Sequence, residues 1–358
     1  MLVYLLGLGF LVVADVLVLH NSSIRARRGL FTVLASSLLV LLSGLRHESV
    51  GGGDVSTYKA NFYQIAELDW GTVFGRLFSL QEITGTGQEP GYTAFIRLIS
   101  AAGGDFRSLL FIVALAFAVP LGWVIYRWSP DPFLSFVVYY VVFFSFFSIT
   151  GFRQTLATSI AVLIGYSSVQ SRKPLGFLAM IGLAFLFHRS AVVYVLVYPT
   201  TARKFLQSPR MVAGTLFAAL AALWFAPATV IEPVAEWLGY QGMLFNDFGG
   251  TATFTSLMLL VFLFSLTRWT RTMEATPSAF VNLGAIAPAT LFSILTLYNQ
   301  SFMRVQQYFS LLLILLIPNL VATFPERERD VPRIALSMLL GFLLVRAAPD
   351  YMFYWQST

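Results

Sequence analysis

The stretch SLLFIVALAFAVPLGWVIY, residues 108–126, carries no charged side chain. A helix needs about 20 mainly apolar residues to cross a hydrocarbon core about 30 Å thick. Only helices and closed barrels satisfy their backbone polar groups in that medium. On either side of this stretch apolar runs recur at 2–19, 30–45, 133–152, 155–169, 175–187, 191–201, 212–230, 252–266, 280–297, 305–324 and 334–348. The 358-residue chain is 57% hydrophobic and 11% charged, whereas a soluble domain carries about 25% charged residues. The expected fold is all-α: a polytopic transmembrane helical bundle of about 12 segments, one membrane domain over 1–358.

Composition excludes several chemistries. There is no Cys, hence no disulfide framework and no thiolate nucleophile or metal site. Only His20, His47 and His188 are present, so neither a His-rich metal centre nor any cofactor is expected. The net charge of +6 does not point to nucleic acid, because the basic residues lie between apolar runs and orientation accounts for them. The first run has neither a basic leader nor a small-residue cleavage site and reads as a retained helix. Asp15 inside it reads as a paired or protonated carboxylate.

Arg25, Arg27, Arg28, Arg127, Arg172, Lys173, Arg203, Lys204, Arg210, Arg268, Arg271, Arg327, Arg329 and Arg333 all fall in one alternate set of short links. The positive-inside rule makes those links cytoplasmic. Two loops then face outward: 46–106, with amphipathic helices expected at 68–80 and 90–99, and 231–250, which is acidic and lacks Lys and Arg. Asp54 is expected as the N-cap of a helix after the Gly51–Gly53 triplet, with Tyr58 and Asn61 on the same face. Pro90 suits a first helical turn, with Glu89 just before it.

Arg46, Arg153, Arg189 and Arg304 break the inside bias, each abutting an apolar run at its outer end. An Arg at helix centre costs about 2.5–3.5 kcal/mol even on the mild insertion scale. Interfacial anchoring is the plain explanation for any one of them. Four together, beside Asp54 and Tyr58, Gln154, His188, and Tyr298 and Asn299, point to an anionic ligand. Planar guanidinium groups match phosphate and pyrophosphate. The run 175–187 spans only about 20 Å as a helix. The turn carrying His188 and Arg189 is therefore expected to stop within the membrane plane, at the floor of a cavity open to the outside.

The series Arg46-x3-Val-Gly-Gly-Gly-Asp-x3-Tyr58, EPGY at 89–92, FRQTLA at 152–157 and HRSA at 188–191 resembles the EpsG family, membrane polymerases of bacterial exopolysaccharide similar in role to Wzy O-antigen polymerases. The resemblance runs from Arg46 to about Tyr308. Where the family often has Gly-Thr-Asp-Tyr this chain has Gly-Gly-Asp-Val, and Arg189 stands where Lys is usual. The resemblance implies a GT-C-like, multi-pass glycosyltransferase of the bacterial plasma membrane with its active site on the periplasmic side. It further implies a donor glycan on undecaprenyl pyrophosphate, a lipid-linked repeat unit as acceptor, the bilayer as solvent, and a flippase and a chain-length regulator as partners.

The chemistry is consistent with that resemblance. A diphosphate leaving group needs its developing charge stabilised, for which Arg46, Arg153, Arg189 and Arg304 are the candidates without a metal. An acceptor hydroxyl needs a base, with Asp54, Glu89 and His188 as candidates. A carboxylate, Asp54 or Glu89, is the favoured base, with His188 and Arg189 on the phosphate side. Tyr58, Tyr92, Gln154, Tyr298 and Asn299 are the expected substrate contacts. Two other classes share some of these features: a transferase or ligase using a polyprenyl-phosphate sugar, and a secondary transporter. The transporter is disfavoured because the halves show no similarity and the charged groups gather on one face.

Overall fold

The computed structural model describes residues 1–19, 24–79, 88–225, 252–297, 300–347 and 350–356. The outer-loop stretch 231–250 and the pair Tyr298 and Asn299 lie outside them. Among the described residues all regular secondary structure is helical, apart from one isolated bridge between Arg46 and Phe353. The elements run α1 (Leu2–Ala14), α2 (Ile24–Gly44), α3 (Gly52–Ala66), α4 (Trp70–Phe78), α5 (Pro90–Ala101) and α6 (Phe106–Trp128). There follow α7 (Pro132–Val138), α8 (Phe152–Thr158), α9 (Tyr166–Gln170), α10 (Pro174–Phe185), α11 (Val197–Thr200), α12 (Arg203–Leu206) and α13 (Pro209–Phe225). Then come α14 (Ala252–Ala275), α15 (Phe280–Leu295), α16 (Phe302–Ser310), α17 (Leu313–Val321) and α18 (Asp330–Ala347).

Each apolar run is helical over most of its described length, but fewer than twelve are uninterrupted spans. Among the described residues four helices are long and apolar enough to cross a membrane: Arg27–Gly44, Phe106–Trp128, Ala252–Ala275 and Pro277–Leu295. The pair α16 and α17, bent by 43°, makes a fifth if taken as one. Leu2–Val18, Pro132–Phe143, Pro174–Phe185 and Pro209–Ala222 are apolar but shorter. The difference from the expected twelve arises because an unbroken apolar sequence is not an unbroken helix. Wider π turns at Tyr139–Phe143, Ser145–Ile149 and Ser159–Ile164 interrupt two runs, and Leu311–Leu312 separates α16 from α17. Such turns are rare and bend a helix where they occur.

Caps place α4 and α6. Asp105 accepts from the Ser108 amide at 2.9 Å while its own amide donates to the Ser108 hydroxyl, a reciprocal box that starts α6. Asp69 caps α4 through the Thr72 amide at 2.9 Å. Val73 is buried and Phe74 and Phe78 are exposed on α4, as suits a helix lying in an interface. The start of α3 differs from expectation: Gly51, at φ 111°, is the N-cap, and Asp54 sits in the first turn, fully on the exposed side. A left-handed residue is needed to turn the chain into α3, and glycine takes it without strain. A Cβ at Gly51 would also meet the Val55 side chain at 2.4 Å.

Two apolar cores result. The larger joins the long helices. The smaller joins α3 and α5 to the N-terminal ends of α6 and α8 through Val55, Phe62, Tyr92, Ile96, Phe106 and Phe152. It packs α3 and α5 onto the end of the bundle. At the opposite end, Arg333 on α18 bridges Asp15 at 2.6 Å and Asp131 at 2.7 Å, which gives the buried Asp15 the partner its sequence position called for.

Candidate active site

The site forms where the small core meets the turn after α10. Pro90 occupies the first turn of α5, where its missing amide costs nothing. The Gly91 amide donates to the Leu186 carbonyl at 2.9 Å. A Cβ at Gly91 would sit 2.7 Å from that oxygen, so only glycine lets α5 approach this closely. The approach delivers Glu89 to His188. The Glu89 side chain makes no cap bond to its own helix. Instead Oε1 pairs with His188 Nδ1 at 2.8 Å and Oε2 accepts from Arg153 Nη1 at 2.6 Å.

Arg153 reaches this point because Gly151, at φ 62°, turns the chain into α8 and leaves Arg153 in its first turn. Phe152 stacks on Tyr58 at 4.5 Å, the Arg153 guanidinium lies 5.9 Å from the Tyr58 ring, and Tyr92 meets Tyr58 edge-on at 6.0 Å. His188 begins a 3-10 helix, Arg189–Leu196, unusually long for its kind. α10 is only 12 residues, about 18 Å. The short-hairpin expectation thus has its helical arm at the anticipated length.

The Glu89 side chain is 5% exposed and that of Arg153 31%. Burial by itself would raise the Glu89 carboxyl. The His188 hydrogen bond and the Arg153 charge outweigh it and bring the carboxyl from 4.5 down to about 2. Glu89 is therefore held as an ion, a weak proton acceptor and a strong anchor for both neighbours. With Nδ1 committed to Glu89, the other ring nitrogen of His188, Nε2, is buried and has no hydrogen-bond partner among the described residues.

Of the residues singled out from sequence, Glu89, Arg153, His188, Tyr58 and Tyr92 come together directly. Gln154 is buried and donates to the Arg304 carbonyl and, at 3.3 Å, to Gln307 Oε1, tying α8 to α16. Arg304 is half-buried on α16 and lies within electrostatic reach of His188. Arg189 is buried at the start of the 3-10 helix. Arg46 is buried beneath the cluster: it donates to the carbonyls of Ser43 and, at 2.9 Å, Ile149, and lies 5.3 Å from the Phe152 ring. Asp54 stands exposed on α3, away from the buried pair. Two contributors went unread in the sequence, Phe152 and Gln307, while Ser190, in the HRS turn expected to wall the site, places its hydroxyl 3.3 Å from that of Tyr308. Phe152 lies inside the FRQTLA motif, which was the available signal.

An apolar helical bundle with charged side chains buried together at one end defines an integral membrane protein with a built polar site. The chain belongs to the EpsG family, whose model matches residues 29–355. The match extends on both sides of the 46–308 span that carries the motifs. Membership implies a membrane glycosyltransferase of the polysaccharide-polymerase type. No curated protein and no solved structure matches the chain.

Proposed function

We propose that this protein is a polysaccharide polymerase that transfers a growing glycan from undecaprenyl pyrophosphate to a lipid-linked repeat unit at the outer face of the bacterial plasma membrane. The observation that carries this reading is the buried Glu89 carboxylate shared between Arg153 and His188. A carboxylate on Nδ1 fixes the imidazole in the tautomer whose Nε2 accepts a proton. The acceptor hydroxyl oxygen bonds to the anomeric carbon of the donor sugar. The bond from that carbon to the diphosphate breaks, and its electron pair leaves on the phosphate oxygen. The hydroxyl proton passes to His188 Nε2.

In this reading His188 replaces a carboxylate as the base, because both Glu89 oxygens are engaged, by His188 and by Arg153, whereas His188 Nε2 has no hydrogen-bond partner among the described residues. Glu89 is a positioning residue. Arg189, Arg304 and the exposed part of Arg153 take the diphosphate charge, with no metal or cofactor in the scheme, and Arg46 adds a positive field from beneath Phe152. Preorganised cations of this kind can each be worth about 3 kcal/mol. Tyr58, Tyr92 and Gln154 shape the sugar side.

The test is reconstitution in liposomes with an undecaprenyl-pyrophosphate-linked repeat unit, read as a ladder of glycan lengths. Wild type is expected to build the ladder, and His188→Ala and Arg153→Ala to lose it. Ladders of unchanged rate and length from both variants would refute the proposal.

A further inference from the structure

We infer that the seam between α2 and α6 is a lane for the tail of a second polyprenyl-phosphate lipid, with Arg107 at its outer end taking the phosphate. This rests on the polymerase reading, which requires two lipid-anchored glycans where the Glu89 site serves the reacting ends only.

The lane is a groove of about 710 Å³ whose walls include Val33, Ser37, Leu41, Leu115, Val119 and Trp123. Val33, Val119 and Trp123 are each more than half exposed, although apolar and mid-helix. At its outer end Phe111, packed against Gly44 where a Cβ would be 2.6 Å away, also lines a separate polar cleft of about 460 Å³. That cleft holds Arg46, Arg107, Asp105, Ser108 and Tyr354. Apolar lane and polar cleft therefore meet at one residue, as the tail and head of a single amphiphile require.

The charge at the head end is positive. Asp105 is committed to the cap of α6 through Ser108. Arg107 is exposed, its guanidinium 5.1 Å from the Tyr354 ring. Tyr354 is held in place because its amide donates to the Leu45 carbonyl at 3.1 Å, while the His47 amide donates to Met352 at 2.7 Å. At the other end of the lane Arg28 is spent on the carbonyls of Ile125, Tyr126 and Ser129. Arg127 stands exposed beyond Tyr126 at that same end, and what assigns the phosphate to the Arg107 end is the Glu89 site, which lies there: Phe152 of α8 meets Phe106 at the start of α6.

Length selects the tail. From Arg107 to Tyr126, α6 rises about 29 Å at about 1.5 Å per residue. One leaflet of the hydrocarbon core is about 15 Å deep. A phospholipid acyl chain anchored at Arg107 ends near the midplane, whereas a long isoprenoid chain fills the lane. Phe106 and Phe152, 6.4 Å apart, lie between this cleft and the Arg153 side of α8. An anchor set aside from the reacting groups suits the acceptor, whose attacking hydroxyl lies a repeat unit away from its lipid phosphate.

The experiment is photo-crosslinking of the full chain in nanodiscs with a polyprenyl monophosphate carrying a diazirine near the tail end, beside a phosphatidylglycerol carrying one at its acyl end. The polyprenyl probe is expected to label peptides containing Ser37 and Trp123, and unlabelled polyprenyl phosphate to compete it away. Val119→Trp, which fills the lane from a lipid-facing position, and Arg107→Gln are each expected to cut labelling about tenfold, or about 1.4 kcal/mol. His188→Ala is expected to stop polymerisation and leave labelling intact. Equal labelling of these peptides by phosphatidylglycerol, or polyprenyl labelling unchanged in both lane variants, overturns the inference. Specific polyprenyl labelling in a wild-type protein that transfers no glycan would support the lane and refute the polymerase reading.

Discussion

Replacing Glu89 by Gln removes one charge and almost no volume, so it isolates the electrostatic role of this carboxylate. The Glu89 carboxyl is lowered from 4.5 to about 2 in the folded chain. A depression of that size corresponds to roughly 3–4 kcal/mol of interaction favouring the ionised form, each tenfold being about 1.4 kcal/mol. Breaking one partner of a buried ion pair costs about 3–5 kcal/mol. The Arg153 side chain is 31% exposed and recovers part of its hydration, so the loss is set at about 2–3 kcal/mol. The amide also presents either oxygen or NH2 to His188, and loses the fixed tautomer. Turnover is expected to fall about 100-fold, within the range attributed to a positioned acid or base. The assay has two arms. A thermal or denaturant double-mutant cycle with Arg153→Gln should give a coupling of about 2 kcal/mol. Initial rates of glycan extension should fall with little change in KM. Strict additivity of the two substitutions, or wild-type rates from Glu89→Gln, would refute the reasoning.

The same carboxyl sets a pH dependence. Because its folded value is depressed, its stabilisation is complete above about 4.5 and is lost as pH falls toward about 2. The melting-temperature gap between wild type and Glu89→Gln should therefore be widest above pH 5 and close on acidification, and a gap that widened in acid would contradict the assignment. Gly91→Ala places a Cβ 2.7 Å from the Leu186 carbonyl and should push α5 off the His188 turn, costing at least about tenfold in rate while the helix content by circular dichroism stays unchanged. Arg333→Met strands Asp15 and Asp131 at the far end of the bundle and should cost about 3 kcal/mol of stability, with rate per folded molecule unaffected. Arg46→Met withdraws donors from the Ser43 and Ile149 carbonyls, so thermal stability should drop by about 1–3 kcal/mol, measured by thermal shift.

Several features were legible in the residues alone because they are local. Apolar runs, the alternation of basic links, the Pro90 helix start and the short arm before His188 all follow from composition and spacing within a few turns. The count of spans was not legible, because hydropathy measures which residues avoid water and says nothing of π turns such as Tyr139–Phe143. The start of α3 also misled: Asp54 has the chemistry of a cap, but the backbone conformation of Gly51 decides where the helix begins.

By itself the sequence determined that this chain is helical and apolar, with many of its basic residues in short links between apolar runs, and it set out the motifs of the EpsG family in order. Tertiary structure decided which of the candidate groups meet. Glu89 joins Arg153 across 64 positions and His188 across 99, while Asp54, a carboxylate of the same loop, stays exposed. The physical reason is that side-chain periodicity reaches only a few residues along a helix. The docking of α5 on the turn after α10 depends instead on a missing Cβ at Gly91 and on a small apolar core drawn from four separate helices.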